Sequence, residues 1–375
     1  MSRVVANLCW IVPGVVGGSE EYTTRLLRAV ASGESSGVEV ELAGLGALST
    51  AHPDLAAGFK TSTLDISGSG RAGRIAIENS WLAARCRGAD LVHHFGGHVP
   101  AVRTAPAVVT IHDTQPLDMA GNFSAVKRAY MSRMLPRTVA AARLVCTPSE
   151  WVRSRLVDRL GVDPSKVRVV PSTWDDRTSS EFHPDLDETE LIDSLRGFQV
   201  VLYPAITHPH KNHTVLLEAV NRLAASHPLL RLVLTGGRGR AHAEVDACIA
   251  RLALGDLVVQ PGRVTQGAYH SLLELSDVLA FPSIYEGFGL PVLEAMRCGK
   301  PVVAANATAL PEILAGAGIL VDGHDPEAWA EAIESVLAGG HDIDRMVEAG
   351  RARSETFRPA ESARRLIEAW RSVLS

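Results

Sequence analysis

The sequence predicts an α/β protein made of two doubly wound domains, each a parallel sheet wrapped by helices. Three observations carry this. Short β-rich apolar runs alternate with longer helical patterns from the first residues onward. The alternation stops around Pro171 to Glu190, in a polar stretch holding Thr178, Ser179, Ser180 and several aspartates. It restarts at Gln199 and repeats several times. Strand–helix–strand alternation is the signature of right-handed βαβ units and hence of parallel sheets.

In the first half, strands are predicted over Val4 to Val12, Val38 to Leu45, Val108 to Ile111 and Leu144 to Thr147, with a helix over Glu20 to Ala31. In the second, strands at Val200 to Tyr203, Leu230 to Leu234, Leu257 to Val259 and Val278 to Phe281 alternate with helices, one over Thr214 to Ala225. The predicted domains are 1–180 and 190–355. The polar stretch is the linker. Open parallel sheets bind ligands outside the carboxyl ends of their strands, so a ligand cleft with the two domains facing across it is the expectation.

A chain of 375 residues, 46% of them hydrophobic, is long enough for two cores of ordinary size. Cys9, Cys86, Cys146, Cys248 and Cys298 are odd in number and form no C-x-x-C pair, which disfavours a disulfide framework or a structural zinc site and suits a reducing cytoplasm. Lys and Arg number 37 against 42 Asp and Glu, a net charge of -5. Nucleic acid is therefore not an expected partner. Arg3 to Val16 is the one leader-like stretch, but it has no A-x-A-like cleavage site and reads equally as a first buried strand. No run approaches the roughly 18 apolar residues of a membrane span.

The richest segment runs from Phe281 to Glu294, where an apolar strand enters a turn punctuated by Gly287 and Gly289 and a helix opens at Pro291. Proline suits a first helical turn, the glycines let backbone approach a ligand, and the helix N-terminus offers N–H groups and a positive dipole to a phosphate or sugar hydroxyl. Glu286 and Glu294 bracket the turn. An ordinary strand-to-helix turn with two solvated glutamates is the plainer alternative. Three other strand ends carry glycine or charge: Lys211-Asn212, Gly236-Gly237 and Gly262-Arg263-Val264.

Together with Gly17-Gly18, His112-Asp113, Pro148-Ser149-Glu150 and the block from Pro282 through Pro311-Glu312, these residues make the chain resemble family 4 of the retaining glycosyltransferases, which have the GT-B fold. The resemblance covers nearly the whole chain. It implies that Glu294 accepts the ribose hydroxyls of a nucleotide sugar, and that Glu286 with Gly287, Phe288, Gly289 and Leu290 holds the transferred sugar. It implies further that Lys211 neutralises the diphosphate and that His112 contacts the donor sugar near its reacting carbon. Gly17 and Gly18 would meet the donor phosphate as the cleft closes, with Gly236, Arg263 and Val264 completing the donor site. The resemblance makes 1–180 the acceptor-binding domain and 190–355 the nucleotide-sugar-binding domain, with the terminal helix, about 359–375, packing back on the first.

One position departs from the family: many relatives carry an arginine six residues before the lysine, and this chain has Ala205. Thr207, His208, His210 and Arg263 are the candidates for that role. The run Tyr203 to Asn212 resembles the variant of mannosyl-transferring members, which makes GDP-mannose the expected donor and a glycan or glycolipid the expected acceptor. A sugar-nucleotide epimerase or hydrolase, or a non-catalytic sugar-nucleotide binder, are the rival readings.

No metal cofactor is expected. His208, His210 and His213 are close in sequence, as are His93, His94 and His98, but no H-E-x-x-H or cysteine partner accompanies them. The D-x-D pairs Asp185/Asp187 and Asp342/Asp344 fall in the linker and in a helical stretch rather than after a buried strand. Gly237-Arg238-Gly239 is not completed to G-x-G-x-x-G because His242 holds the last place, so NAD is not expected either. Lys127, Arg128, Arg133 and Arg137, interleaved with Tyr130, Met131, Met134 and Leu135, form a basic amphipathic helix pattern. A solvated face is its plain reading. Peripheral contact with an anionic inner membrane face, or with a charged acceptor, is the alternative.

Overall fold

A computed structural model describes residues 1–14, 17–33, 37–66, 70–175 and 183–375, with the side chains of Arg71 and Lys127 left aside. It contains two compact units: residues 1–175 joined by 357–375, and residues 176–356.

The first unit is built on seven strands: β1 Ser2–Asn7, β2 Val38–Leu45, β3 Lys60–Leu64, β4 Leu91–His94, β5 Ala107–Thr110, β6 Leu144–Thr147 and β7 Val167–Val169. They lie in the order β3-β2-β1-β4-β5-β6-β7, and every pairing is parallel. The second unit holds β8 Gln199–Pro204, β9 Leu230–Thr235, β10 Val258–Gly262, β11 Val278–Phe281, β12 Val302–Ala305 and β13 Ile319–Val321. Their order is β10-β9-β8-β11-β12-β13, again parallel throughout. Parallel sheets are covered on both faces, so their strands are apolar without alternation. Val4 to Ala6, Val108 and Val109, Val200 to Tyr203 and Val278 to Ala280 are accordingly all fully buried. In each sheet the strand order reverses beside the first strand, between β1 and β4 and between β8 and β11, and the crevice outside such a reversal is where open α/β sheets take ligands.

The strand predicted over Val4 to Val12 ends at Asn7. There the Asn7 side chain accepts from the Cys9 amide at 3.0 Å and the Ile11 amide donates to the Leu8 carbonyl, so the apolar run continues as a buried turn. The linker predicted to reach Glu190 is also shorter. A helix Leu186–Ser194 begins inside it, and its start is a reciprocal cap in which Asp185 takes the Glu188 amide and Glu188 takes the Asp185 amide. Asp185 and Asp187 thus belong to a helix N-terminus. Thr178, Ser179 and Ser180 lie outside the described residues. β10 runs to Gly262, beyond the predicted Val259, through a register irregularity between those two residues.

The C-terminal helix Pro359–Leu374 belongs to the first unit. Leu366, Ala369 and Trp370 share one core cluster with Leu26 and Leu27 of the helix Gly18–Ser32 and with residues of β1 and β2. A buried polar chain completes the attachment. Trp370 Nε1 donates to His93 Nδ1 at 2.9 Å, and His93 Nε2 lies 2.9 Å from Thr110 Oγ1. An indole can only donate, so His93 Nδ1 must be the acceptor and Nε2 carries the proton, which it gives to Thr110. Burial holds His93 neutral, with its pKa well below the ordinary value.

Replacing Trp370 with Phe keeps most of the apolar contact but orphans His93 Nδ1. Urea unfolding followed by circular dichroism should show a loss of about 1–3 kcal/mol. An unaltered midpoint would mean that this hydrogen bond contributes nothing to holding the helix.

Candidate active site

The carboxyl ends of β8, β9, β11 and β12 bring one set of loops together in the second unit. After β8 the chain makes a 3₁₀ turn at Pro209–Lys211, which ends at Asn212 in a left-handed conformation, φ 55°. Hydrogen bonds anchor this turn on its neighbours. Tyr203 Oη donates to the Lys211 carbonyl at 2.5 Å, Ile284 N donates to the His210 carbonyl at 2.9 Å, and Asn212 Nδ2 donates to the Gly323 carbonyl at 2.6 Å.

The Lys211 ammonium lies 2.5 Å from Glu286 Oε1. The side chains are only 19% and 14% exposed, so solvent screens the pair weakly. The Glu286 amide donates to Thr308 Oγ1 at 2.9 Å, which ties the glutamate to the loop after β12. Beyond it, Gly289 caps the helix Leu290–Arg297 with φ 99°, a conformation that L side chains rarely adopt, and a Cβ there would lie 2.6 Å from Leu310 Cδ2. Pro291 stands in the first turn, as the sequence predicts. Glu294, one turn on, is buried, and its Oε2 accepts from Tyr269 Oη at 2.6 Å.

The glycine loop after β9 folds against the turn after β8. Gly236 has φ 127°, and a Cβ there would lie 2.5 Å from the Ala205 carbonyl oxygen. Gly239 N donates to Thr207 Oγ1 at 2.7 Å. Thr207 and Ala205 are therefore engaged with this loop. Arg263 is exposed after β10, with Val264 half-buried beside it. His208 and His210 stack with ring centroids 5.8 Å apart, and His213 packs against Tyr203 at 4.7 Å. Burial lowers His210 to about 3 and His213 to about 4, so both are neutral near pH 7. Among the described residues, no three His, Cys, Asp or Glu side chains are grouped as metal ligands would be.

The first unit holds the remaining candidates. Gly17, with φ 75°, precedes the helix that opens at Gly18, and a Cβ at either position would meet no atom within 4 Å. His112 follows β5, and its Nε2 donates to the Phe95 carbonyl at 2.7 Å. Its ring meets Tyr22 edge-on at 5.0 Å and Trp10 at 6.0 Å. Its Nδ1 is consequently the acceptor nitrogen, and burial lowers the pKa to about 4 against the opposing pull of the Phe95 carbonyl. Ser149 caps the helix Glu150–Leu160 by accepting from the Val152 amide. Arg128, Arg133 and Arg137 are exposed on the helix Ala125–Ala141. Among the described residues, no helix is long and apolar enough to cross a membrane.

Tyr269 and Thr308 escaped the sequence reading. Neither belongs to a recognisable motif; each is visible only once the fold sets it against a glutamate.

Two all-parallel sheets with charged and glycine-rich loops at their strand ends define the GT-B class of fold. Solved structures agree: Anabaena Alr3699/HepE in complex with UDP and glucose superposes with a TM-score of 0.78 at 19% identity, covering 99% of this chain and 100% of that one. WaaG, a glycosyltransferase involved in lipopolysaccharide biosynthesis, gives 0.72 at 17%, covering 97% and 98%. Residues 16–176 match the family described as Glycosyltransferase Family 4, and residues 193–353 match Glycosyl transferases group 1. The chain belongs to glycosyltransferase family 4. Its relatives include O-antigen chain mannosyltransferase B of Escherichia coli, 29% identical over 244 residues, 64% of this chain and 63% of that protein. D-inositol 3-phosphate glycosyltransferase of Segniliparus rotundus is 30% identical over 258 residues, 64% and 56%. The match thus spans less than two thirds of either relative.

Because His112 is neutral when folded down to about pH 4 but titrates near 6.5 when unfolded, the unfolded chain binds more protons between those values. Stability from this residue is fully present above pH 6.5 and is lost as pH falls toward 4. Thermal melts across that window should slope less steeply for His112→Asn than for the parent chain; equal slopes would show that His112 is not held neutral.

Proposed function

We propose that the protein is a retaining, metal-independent hexosyltransferase that moves mannose from GDP-mannose to a hydroxyl of a glycan or glycolipid. The observation that carries the reading is the Lys211–Glu286 contact at the mouth of the Leu290–Arg297 helix, with Glu294 buried one turn further. A cation, a helix N-terminus and two separately held carboxylates are what a nucleotide diphosphate-sugar asks for. The mannosyl donor is supported by the Tyr203 to Asn212 run and by the relative named as a mannosyltransferase.

In this scheme Lys211 leaves Glu286 for the diphosphate, whose departure places positive charge on the sugar carbon. Electrostatic stabilisation of the leaving group then supplies much of the rate. Glu286, freed from the lysine, turns to the sugar beside the amides of Gly287 to Leu290. Glu294, oriented by Tyr269, accepts from the ribose hydroxyls, and neutral His112 offers Nδ1 as an acceptor toward the donor sugar. Arg263 and the backbone around Gly236 stand on the phosphate side in place of the arginine replaced by Ala205. The acceptor hydroxyl attacks from the face that the diphosphate leaves and gives its proton to the departing diphosphate oxygen, which retains configuration.

Nucleotide release assayed with GDP-mannose, UDP-glucose and UDP-N-acetylglucosamine should require acceptor, favour GDP-mannose in kcat/KM and persist in excess EDTA. Preference for a uridine donor refutes the mannose assignment. Loss on chelation, restored by magnesium or manganese, refutes metal independence.

The two glutamates should fail differently. Glu294→Ala removes binding felt equally in ground and transition states, so donor KM should rise about ten- to a hundredfold with kcat little changed. Glu286→Gln should lower kcat while GDP affinity by calorimetry stays near that of the parent. The reverse pattern would exchange the two roles.

A further inference from the structure

Among the described residues, four other than glycine have positive φ: Asn212, Ala253, Thr308 and Ala315. Three of them have ordinary reasons. Asparagine tolerates this region through its short polar side chain, and Asn212 closes the turn after β8. Ala315 closes the helix Leu310–Leu314, and Ala253 lies just past the helix His242–Arg251, where chains commonly leave a helix in the left-handed conformation. Thr308, at φ 52°, is different. It is β-branched, ends no helix and stands in the connection from β12 to Leu310, where glycine or asparagine would sit at less cost.

Strain of this kind persists only where the surroundings fix it, and it concentrates where a site needs a particular side chain. The surroundings do fix it. The Asn306 amide donates to the Val321 carbonyl at 2.7 Å, the Ala307 amide to the Ala305 carbonyl at 2.8 Å and the Leu310 amide to the Ala307 carbonyl at 3.1 Å, while Ala309 and Leu310 are fully buried. What the threonine supplies is its hydroxyl, whose oxygen accepts from the Glu286 amide at 2.9 Å. At the far end of the glycine turn, Leu310 Cδ2 lies 2.6 Å from where a Cβ on Gly289 would stand. The segment from Thr308 to Leu310 therefore runs alongside the turn from Glu286 to Gly289.

A hydroxyl has one proton to give besides the lone pairs it offers. The Glu286 amide uses a lone pair and takes no proton, and among the described residues no acceptor for the Thr308 proton is found. Thr308 is half-buried, so its hydroxyl is anchored on the acceptor side and keeps its donor for a ligand in the turn. The Lys211 ammonium, at the Glu286 carboxylate, is the group matched to phosphate. A neutral O–H fixed to the glutamate's backbone is matched to a neutral hydroxyl. We propose that Thr308 is a sugar-recognition residue whose O–H donates to one hydroxyl oxygen of the transferred hexose, and that the strained backbone is retained for this contact. The proposal rests on the transferase reading and adds to it a determinant of which hexose is accepted.

Calorimetric titration of the full chain with GDP, GDP-mannose and the 2-, 3-, 4- and 6-deoxy analogues of its sugar, without acceptor, tests it. Thr308→Val keeps the branched shape and removes the hydroxyl, so it should bind GDP within about twofold of the parent but GDP-mannose about tenfold more weakly. Thr308→Ser, which keeps the hydroxyl, should match the parent for both. One deoxy analogue should bind the parent about tenfold more weakly than GDP-mannose does, yet bind Thr308→Val as well as GDP-mannose does, a coupling confined to one position of the sugar. Glu286→Gln should keep that penalty, since a hydroxyl read through the glutamate would lose it there too. Parent-like binding of GDP-mannose by Thr308→Val, a parallel loss of GDP, deoxy penalties that survive Thr308→Val at every position, or a penalty erased in Glu286→Gln as well would each overturn the inference and leave Thr308 as a support for the Glu286 backbone. Absence of both GDP and GDP-mannose binding in the parent would instead sink the donor reading, and the inference with it.

Discussion

The second unit is organised around one electrostatic contact, the Lys211 ammonium 2.5 Å from the Glu286 carboxylate. Both groups are largely shielded from water, so their attraction is weakly screened and each offsets part of the other's desolvation. The surrounding hydrogen bonds follow from this. Tyr203 and Ile284 hold the backbone of the lysine turn, and Thr308 holds that of the glutamate. The helix start at Gly289 lies three residues from the carboxylate. A pair assembled this way keeps the empty site close to neutral, each group compensating the other.

Parallel topology explains why these loops meet. All strands of a parallel sheet end on the same side, and the reversal between β8 and β11 leaves the loops that follow them, carrying Lys211 and Glu286, flanking one crevice. The first unit repeats the logic between β1 and β4, where the turn containing Trp10 and the loop holding Gly96 to His98 flank its own reversal. Each unit therefore offers a crevice, one charged and glycine-rich, the other half apolar.

Legibility in the sequence tracked how local the cause was. Leu144–Thr147 and Val278–Phe281 are readable to the residue because each is a short, largely apolar run set between a charged residue and a proline, and Val38–Leu45 because valines alternate with glutamates before an apolar end, between two glycines. The run from Val4 failed past Asn7 because hydropathy does not distinguish a buried strand from a buried turn; what ends the strand is a side-chain amide folding onto its own backbone. The helix at Leu186 was hidden by its composition. Acidic residues read as a solvated linker, although Asp185 and Glu188 at a spacing of three are a helix-start signal in themselves.

The site divides in the same way. Glu286, Gly289 and Glu294 are legible because one strand-turn-helix carries them all, and local spacing encodes their proximity. Lys211 beside Glu286 is a contact between residues 75 apart, and only the sheet order brings them together. Tyr269 and Thr308 lie one step further from view, since they act on the glutamates and on no motif of their own. Glu78 is the extreme case. Its neighbours Asn7, His94, His98 and Trp10 come from separate strand ends and loops, and nothing in the sequence around it departs from an ordinary helix. A polar residue in such a helix reads as solvent-facing until the fold buries it, and burial raises the Glu78 pKa and commits its carboxyl to the partners the fold supplies, Asn7 first among them.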